Sequence, residues 1–363
     1  MKYRTVREMN FKNKRVLIRA DFNAPINEKG EIESINRINE VIPTIKYILD
    51  KGCKQIILMS HLGNPNGKVE DRLKMNKIAS KLTELLKLDV IKVDDCVDIK
   101  MPKFKIILLE NLRFHKEEEL NDEEFAKKLS TYGDVYVNDA FGTLHREHAS
   151  IAVINKFLPG CIGFLVEKEL KYLSIENMKK PTLFIMGGSK INTKFPLIKK
   201  LINKVDYILI GGALVFTFYK ALNYDIFERY YNKDFISEAK DLLNNKKIII
   251  AEDMIVAKNK NDRKIFCVKA DEIPENYIGL DIGNKSINNF KKYLKKASTI
   301  VLCGPLGYFE DDEFAKGTNE IADFLIKLNK NVIICGGDTE NALKLYKNKF
   351  THVSTGGGAS IEL

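Results

Sequence analysis

Short apolar runs recur along this chain, and each ends abruptly in charged residues, amides or glycines. Val16-Leu17-Ile18, Ile56-Ile57-Leu58-Met59, Ile106 to Leu109 and Val135-Tyr136-Val137 are continuous, not alternating. That is the pattern of strands covered on both faces. Between them lie segments of helical spacing, such as Ile38, Val41, Ile42, Ile45, Ile48 and Leu49. Strand and helix in alternation lead to parallel sheet and an α/β fold. The pattern restarts at Thr182 with Leu183 to Met186, Tyr207 to Ile210, Lys247 to Ala251, Thr299 to Leu302 and Val332 to Ile334. At 363 residues the chain is too long for one ordinary core, so the restart marks a second domain.

The endings of the runs differ between the halves. In the first half they are Arg19, Asp21 and Asn23; Ser60-His61-Leu62-Gly63; Glu110-Asn111-Leu112-Arg113; and Asn138-Asp139, followed by His145-Arg146. Carboxyl ends of parallel strands are where open α/β sheets place ligands. Eight of the ten arginines also precede residue 147. Arginine's planar fork suits bidentate binding of phosphate or carboxylate, which points to a compact anion on this half. In the second half the endings are Gly187-Gly188, Gly211-Gly212, Gly304-Pro305 and Gly336-Gly337-Asp338-Thr339, with a helix read at Glu340 to Lys347. Glycine-rich turns at helix starts bind phosphate through backbone N–H groups, which points to a nucleotide.

Thr182 to Lys194, TLFIMGGSKINTK, condenses that pattern: strand, two glycines, Lys190, Lys194 and a helix that Thr193 could cap. It reads either as a phosphate cradle or as an ordinary turn with its lysines in water. Other classes are disfavoured. The net charge of +10 comes with lysine spread along the whole chain and no basic block interleaved with aromatics, unlike a nucleic-acid binder. The six scattered cysteines suit a reducing, cytoplasmic setting, and the N-terminus lacks an apolar signal core. Gly63 to Lys68 is one residue short of a Walker loop, and no GxGxxG follows a strand as a dinucleotide dehydrogenase would require.

The ordered stretches RADFNAP, SHLGNP, LLENLRFH, YVNDAFGTLHREH, GFLVEKEL, FIMGGSK, GLDIGNKSI, CGPLGYFE, CGGDT and HVSTGGGAS resemble the phosphoglycerate kinases over nearly the whole chain. The resemblance implies two Rossmann-like domains with parallel sheets, joined by an interdomain helix and hinge and facing each other across a cleft. Their limits would be 1–163 for a phosphoglycerate-binding domain and 164–180 for the helix and linker. Residues 181–353 would form a nucleotide-binding domain, and 354–363 a shortened C-terminal segment near the hinge. It implies reversible transfer of the acyl phosphate of 1,3-bisphosphoglycerate to Mg-ADP in glycolysis, by a cytoplasmic, hinge-bending monomer that needs no nucleic acid or membrane. Carried over by motif, Asp21, Asn23, Arg37, His61, Arg113 and Arg146 hold the glycerate substrate, with Asn64 beside them. Arg37 and Lys190 act on the moving phosphoryl group. Lys194, Gly336, Gly337 and Thr339 bind the nucleotide phosphates, Gly187, Gly188, Gly211 and Gly212 the nucleotide, Glu310 the ribose, and Asp338 the Mg2+. His61, His145 and His148 suit substrate bonding or loop packing better than a metal.

Some positions depart from the family pattern. Asn64 stands where arginine is common, Thr193 where aspartate is usual, and Leu302-Cys303-Gly304-Pro305 replaces Trp-Asn-Gly-Pro. The end at Leu363 is early by comparison with the usual returning tail. These departures keep a second expectation in play, a non-catalytic nucleotide-binding protein derived from the enzyme.

Overall fold

The structure, a computed structural model, describes residues 3–27, 31–227 and 230–356. Gly357, Gly358, Ala359 and Ser360 of the final motif, with the rest of the C-terminal segment from residue 357 on, lie outside the described residues. The chain divides into two compact units, Met1–Lys171 and Tyr172–Leu363, and the division falls inside the helix Phe164–Leu173.

The first unit carries one six-stranded sheet. Its strands are β1 (Arg15–Ala20), β2 (Gln55–Met59), β3 (Val90–Lys92), β4 (Ile106–Leu108), β5 (Val135–Asp139) and β6 (Gly160–Ile162). They lie in the order β3-β4-β2-β1-β5-β6, and every pairing is parallel. Five of the six residues of β1 are buried, because helices cover both faces and leave no wet side. The helix Asn36–Asp50 shows how. Ile38, Val41, Ile42, Ile45 and Ile48 form its buried stripe, while Arg37 in its first turn stays half-buried.

The second unit builds its main sheet from β7 (Thr182–Met186), β8 (Tyr207–Ile210), β9 (Ile248–Ile250), β13 (Thr299–Cys303), β14 (Asn331–Cys335) and β15 (His352–Val353). Their order is β15-β14-β13-β7-β8-β9, again all parallel. Counted within the unit, this is the 3-2-1-4-5-6 order of dinucleotide-binding sheets. Between β9 and β13 the chain makes a separate antiparallel sheet of β10 (Asp253–Ala257), β11 (Phe266–Lys269) and β12 (Ile278–Ile282), which the sequence pattern did not announce.

Both main sheets reverse their winding beside their first strand, between β1 and β5 and between β7 and β13. The crevice outside the carboxyl ends at such a point is the preferred ligand position in this class. Topology alone therefore selects Asp21, Asn138 and their neighbours in one unit, and Gly187 and Gly304 in the other. No helix among the described residues is long and apolar enough to cross a membrane.

Candidate active site

In the first unit, a lattice of side-chain bonds holds the strand-end loops to one another. Asn111 uses its whole amide. Its Oδ1 accepts from the Leu62 and Arg113 N–H groups, and its Nδ2 donates to the Leu62 and Leu73 carbonyls. Ser60 Oγ accepts from Phe22 N–H at 2.9 Å, and Asn23 Oδ1 accepts from Gly63 N–H at 2.8 Å. The segments after β1, β2 and β4 are thus fixed relative to each other before any ligand arrives.

On this frame sit the cations. Arg37 Nη1 donates to Asp21 Oδ2 at 2.7 Å, and the buried Asp21 also accepts from Asn23 N–H through Oδ1. Arg113 is 1% exposed, and of its guanidinium nitrogens only Nη1 is hydrogen-bonded, donating to Gly63 O at 2.8 Å and to Asn64 Oδ1. Its Nε is ion-paired with Glu119 Oε1 at 3.3 Å without a hydrogen bond, and its Nη2 has no hydrogen-bond partner. A buried guanidinium with unmet donors is costly unless something anionic completes it. Burial first, and then the nearby Arg146, depress the Arg113 pKa.

His61 is 2% exposed, and its Nδ1 lies 3.2 Å from Arg19 Nη2. A guanidinium can only donate, so Nδ1 accepts and the proton resides on Nε2. Burial, followed by the charges of Arg19, Arg113, Arg146 and Arg37, pushes the His61 pKa well down and keeps the ring neutral. Four arginines thus lie within electrostatic reach of one imidazole. His148 is driven to about 4 by burial and then by Arg113, Arg146 and Arg19. These two histidines are therefore neutral at pH 7.

The second unit arranges its loops differently. Gly187 N–H donates to Cys303 O, Gly188 N–H to Pro305 O, Gly212 N–H to Leu306 O, and Leu214 N–H back to Gly188 O. A Cβ on Gly212, whose φ is +58°, would stand 2.5 Å from Gly188 N, and one on Gly211 2.7 Å from Leu306 Cδ2. Here the missing side chains allow loop to pack on loop. Gly337 contrasts with them, since a Cβ there would meet nothing within 4 Å.

The helix after β14 begins at Gly337, directly on the strand end, and not at Glu340 as the spacing suggested. Its first N–H groups have no acceptor within the helix. Thr339 is fully buried, and its hydroxyl is already engaged, accepting from Gly304 N–H at 2.7 Å and donating to Cys335 O at 2.7 Å. It locks the β13 and β14 ends together, leaving backbone as what this turn can offer a phosphate.

The two lysines of the stretch Thr182 to Lys194 also part company. The helix runs Ile191–Leu201 with Lys190 at its N-cap position, so Thr193 lies inside the first turn. Instead of capping, Thr193 donates from Oγ1 to Lys190 O at 3.1 Å. Lys190 reaches out to Asp338 Oδ2 at 3.0 Å, with both side chains more than half exposed. Lys194 folds inward onto Gly187 O, and burial lowers its pKa despite Cys303 and Asp338 nearby. Glu310 is exposed beside Asp311, which Arg263 Nη1 contacts at 2.7 Å.

A family model described as phosphoglycerate kinase matches residues 6–363. The chain belongs to the phosphoglycerate kinase family. It is 42% identical to the phosphoglycerate kinase of Coprothermobacter proteolyticus, covering all of this chain and 96% of that protein. Against the enzyme of Dictyoglomus turgidum the identity is 43%, with 98% and 94% covered. Among solved structures, the phosphoglycerate kinase of Coxiella burnetii superposes with a TM-score of 0.87 at 32% identity, over 99% of this chain and 95% of that one. That of Pyrococcus horikoshii gives 0.81 at 30%, with the same coverage.

Within this family member, sequence reasoning passed over the buried network behind His61. Arg19 Nε donates to Ser150 Oγ at 2.8 Å, and Ser150 Oγ in turn donates to Glu118 Oε1 at 2.6 Å. Glu118 Oε1 stands 3.9 Å from Arg19 Nη2 and 3.8 Å from His148 Nδ1. All three residues of this chain of bonds are fully buried. Arg19 was visible as a charge on a buried strand, but Glu118 and Ser150 gave no local signal.

Proposed function

We propose that this chain catalyses reversible transfer of the acyl phosphate of 1,3-bisphosphoglycerate to Mg-ADP, giving 3-phosphoglycerate and ATP in glycolysis. The observation that carries the site assignment is the gathering of Arg37, Arg113 and Arg146 around a neutral His61, with guanidinium N–H groups of Arg113 unmet. A phosphate or carboxylate completes such a cluster.

In this reading Asp21, Asn23, Arg37, His61, Asn64, Arg113 and Arg146 hold the glycerate, His61 by donating from Nε2. Asp21 orients Arg37, and Asn64 shares Arg113 with the substrate. Lys194 and the turn Gly336, Gly337 and Thr339 form the nucleotide-phosphate side, while Gly187, Gly188, Gly211 and Gly212, whose N–H groups are engaged by carbonyls, shape the floor beneath the nucleotide. Glu310 takes the ribose hydroxyls. Transfer between a carboxyl phosphate and ADP needs no covalent enzyme intermediate. It needs alignment and positive charge around the moving group, which Arg37 and Lys190 supply.

Asp338 fits Mg2+, a hard cation bound through one or two carboxylates and phosphate oxygens, because its carboxylate is exposed. The ion, when bound, neutralises charge on the phosphate chain. The exposed Lys190–Asp338 pair is weak, so Lys190 is free to exchange a carboxylate partner for a phosphoryl group. The reading extends to a monomeric, cytoplasmic enzyme whose N-terminal glycerate domain and C-terminal nucleotide domain close for the reaction. The experiment is ATP formation from 1,3-bisphosphoglycerate and Mg-ADP, with Arg37→Ala as control. Turnover in the parent and a loss of about 100-fold or more in the variant are expected. An inactive parent or an unimpaired variant rejects the reading.

A further inference from the structure

After β3 the chain enters a turn carrying Asp95 and Cys96, and this turn meets the residue just beyond the Leu112–Phe114 turn. Asp95, Cys96 and His115 bring a carboxylate oxygen, a thiol sulfur and an imidazole nitrogen within 4.8 Å of one another. Among the described residues this is the one group of three or more such ligands, and the proposed reaction uses none of them. His115 Nε2 lies 2.7 Å from Asp95 Oδ1, and Asp95 Oδ1 also accepts from Cys96 N–H at 2.6 Å.

The group has a rigid back and an open front. Cys96 is fully buried in the hydrophobic cluster with Leu109, Leu112 and Phe125, and the His115 ring packs on Phe125 with centroids 5.3 Å apart. The Asp95 side chain is 49% exposed and that of His115 28%, so a cation can enter from solvent and keep a water ligand.

We propose that Asp95, Cys96 and His115 form a binding site for a borderline-soft divalent cation of the zinc class, separate from the site of phosphoryl transfer. The donor set of one sulfur, one nitrogen and one oxygen suits zinc, with bonds of roughly 2.0–2.3 Å and a fourth position open to water. Ligand atoms around such a tetrahedral ion stand roughly 3.2–3.6 Å apart. The present spacing, 2.7 Å for one pair and up to 4.8 Å for the others, reaches that with shifts of about 1 Å. On binding, the Cys96 S–H bond breaks, a metal–sulfur bond forms and the proton goes to water. The proton on His115 Nε2 is replaced by the metal, and Nδ1 takes one up, so the ring stays neutral and one proton leaves per ion. Mg2+ favours an octahedral set of oxygens and does not compete here.

The test is a Co2+ titration of the metal-free full chain, followed by absorption. The expected result is a thiolate-to-cobalt charge-transfer band that saturates at one equivalent, is displaced by Zn2+ and is unmoved by millimolar Mg2+. Cys96→Ser abolishes the band, and Cys267→Ser, at the exposed cysteine of the other unit, leaves it unchanged. His115→Ala weakens the Co2+ Kd by at least about 100-fold, since loss even of an outer-shell partner costs about 10–100-fold. If Cys96→Ser does not fold, the half-exposed His115 position decides the question by itself. No band in the parent chain, a band that survives Cys96→Ser, or an unchanged Kd in His115→Ala overturns the site.

Discussion

The two units solve the same placement problem with opposite chemistry. Each winds a parallel sheet and puts its candidate residues at the carboxyl ends beside the first strand. The first unit fills those ends with arginines, amides and histidines that bond to each other, leaving Arg113 incompletely met. The second fills them with glycines that let the loops interlock, and sets Lys190, Lys194 and Asp338 on top. A small, highly charged acid calls for fixed side-chain donors that single out its ends. A nucleotide diphosphate calls for room and backbone. On the proposed reading, the same sheet ends carry side-chain recognition in one unit and shape in the other.

The sharpest way to break this contrast is at Lys190. Lys190→Ala should cut kcat by about 100- to 1,000-fold, as loss of a group meeting transition-state charge does. Its melting temperature should stay close to that of the parent, because the Lys190–Asp338 pair is exposed and weak. A large loss of stability would mean that the lysine is structural. Next comes Thr339→Val, which removes the hydroxyl linking Gly304 N–H to Cys335 O and leaves the buried Gly304 N–H without that acceptor. A loss of about 1–3 kcal/mol in denaturant unfolding is expected. Unchanged stability would deny that the glycine loops depend on that lock.

A third test asks where the units behave alike. Asp139 receives the N–H groups of Leu165 and Val166, and Asp281 those of Ile282 and Gly317. Burial raises both carboxyls to about 7, against the pull of those N–H groups. Each native site thus holds its proton where the unfolded chain, near the ordinary value of 3.8, has lost it. The stability from that proton is fully present below pH 4 and is lost as pH rises through about 7. Asp139→Asn or Asp281→Asn should flatten the fall in melting temperature between about pH 4 and pH 7, the interval from the ordinary value to the raised one. An unaltered slope refutes the assignment. The smallest expected effect is at Asn64, whose amide occupies Arg113 Nη1. Asn64→Arg should lower the KM for 3-phosphoglycerate several-fold, and an unchanged KM counts against a role there.

Much of this contrast was legible in the sequence, for a physical reason. Continuous apolar runs such as Ile56 to Met59 are what a doubly covered strand demands, and charges such as Arg113 are rare at their ends unless used. What escaped the sequence was non-local or broke the strand–helix alternation. Ser150 and Glu118 are joined to Arg19 across roughly a hundred residues or more, with nothing nearby to mark them. Met254 to Ala257 and Ile265 to Val268 are apolar runs, but the polar stretch Lys258 to Lys264 joins them without a helix, so the strand–helix alternation did not predict their antiparallel sheet. The glycines were visible, but whether a bare Cα faces a ligand or another loop depends on the fold around it. Gly212 and Gly337 take opposite answers.

The division of labour between the units is tested most directly by calorimetric titration of 3-phosphoglycerate and of Mg-ADP, separately, into Arg113→Gln and Lys194→Met. Arg113→Gln is expected to weaken 3-phosphoglycerate by about 10-fold or more and to leave Mg-ADP within about two-fold, and Lys194→Met to do the reverse. If either variant weakens both ligands equally, or if Arg113→Gln binds 3-phosphoglycerate as the parent does, the division of labour is contradicted.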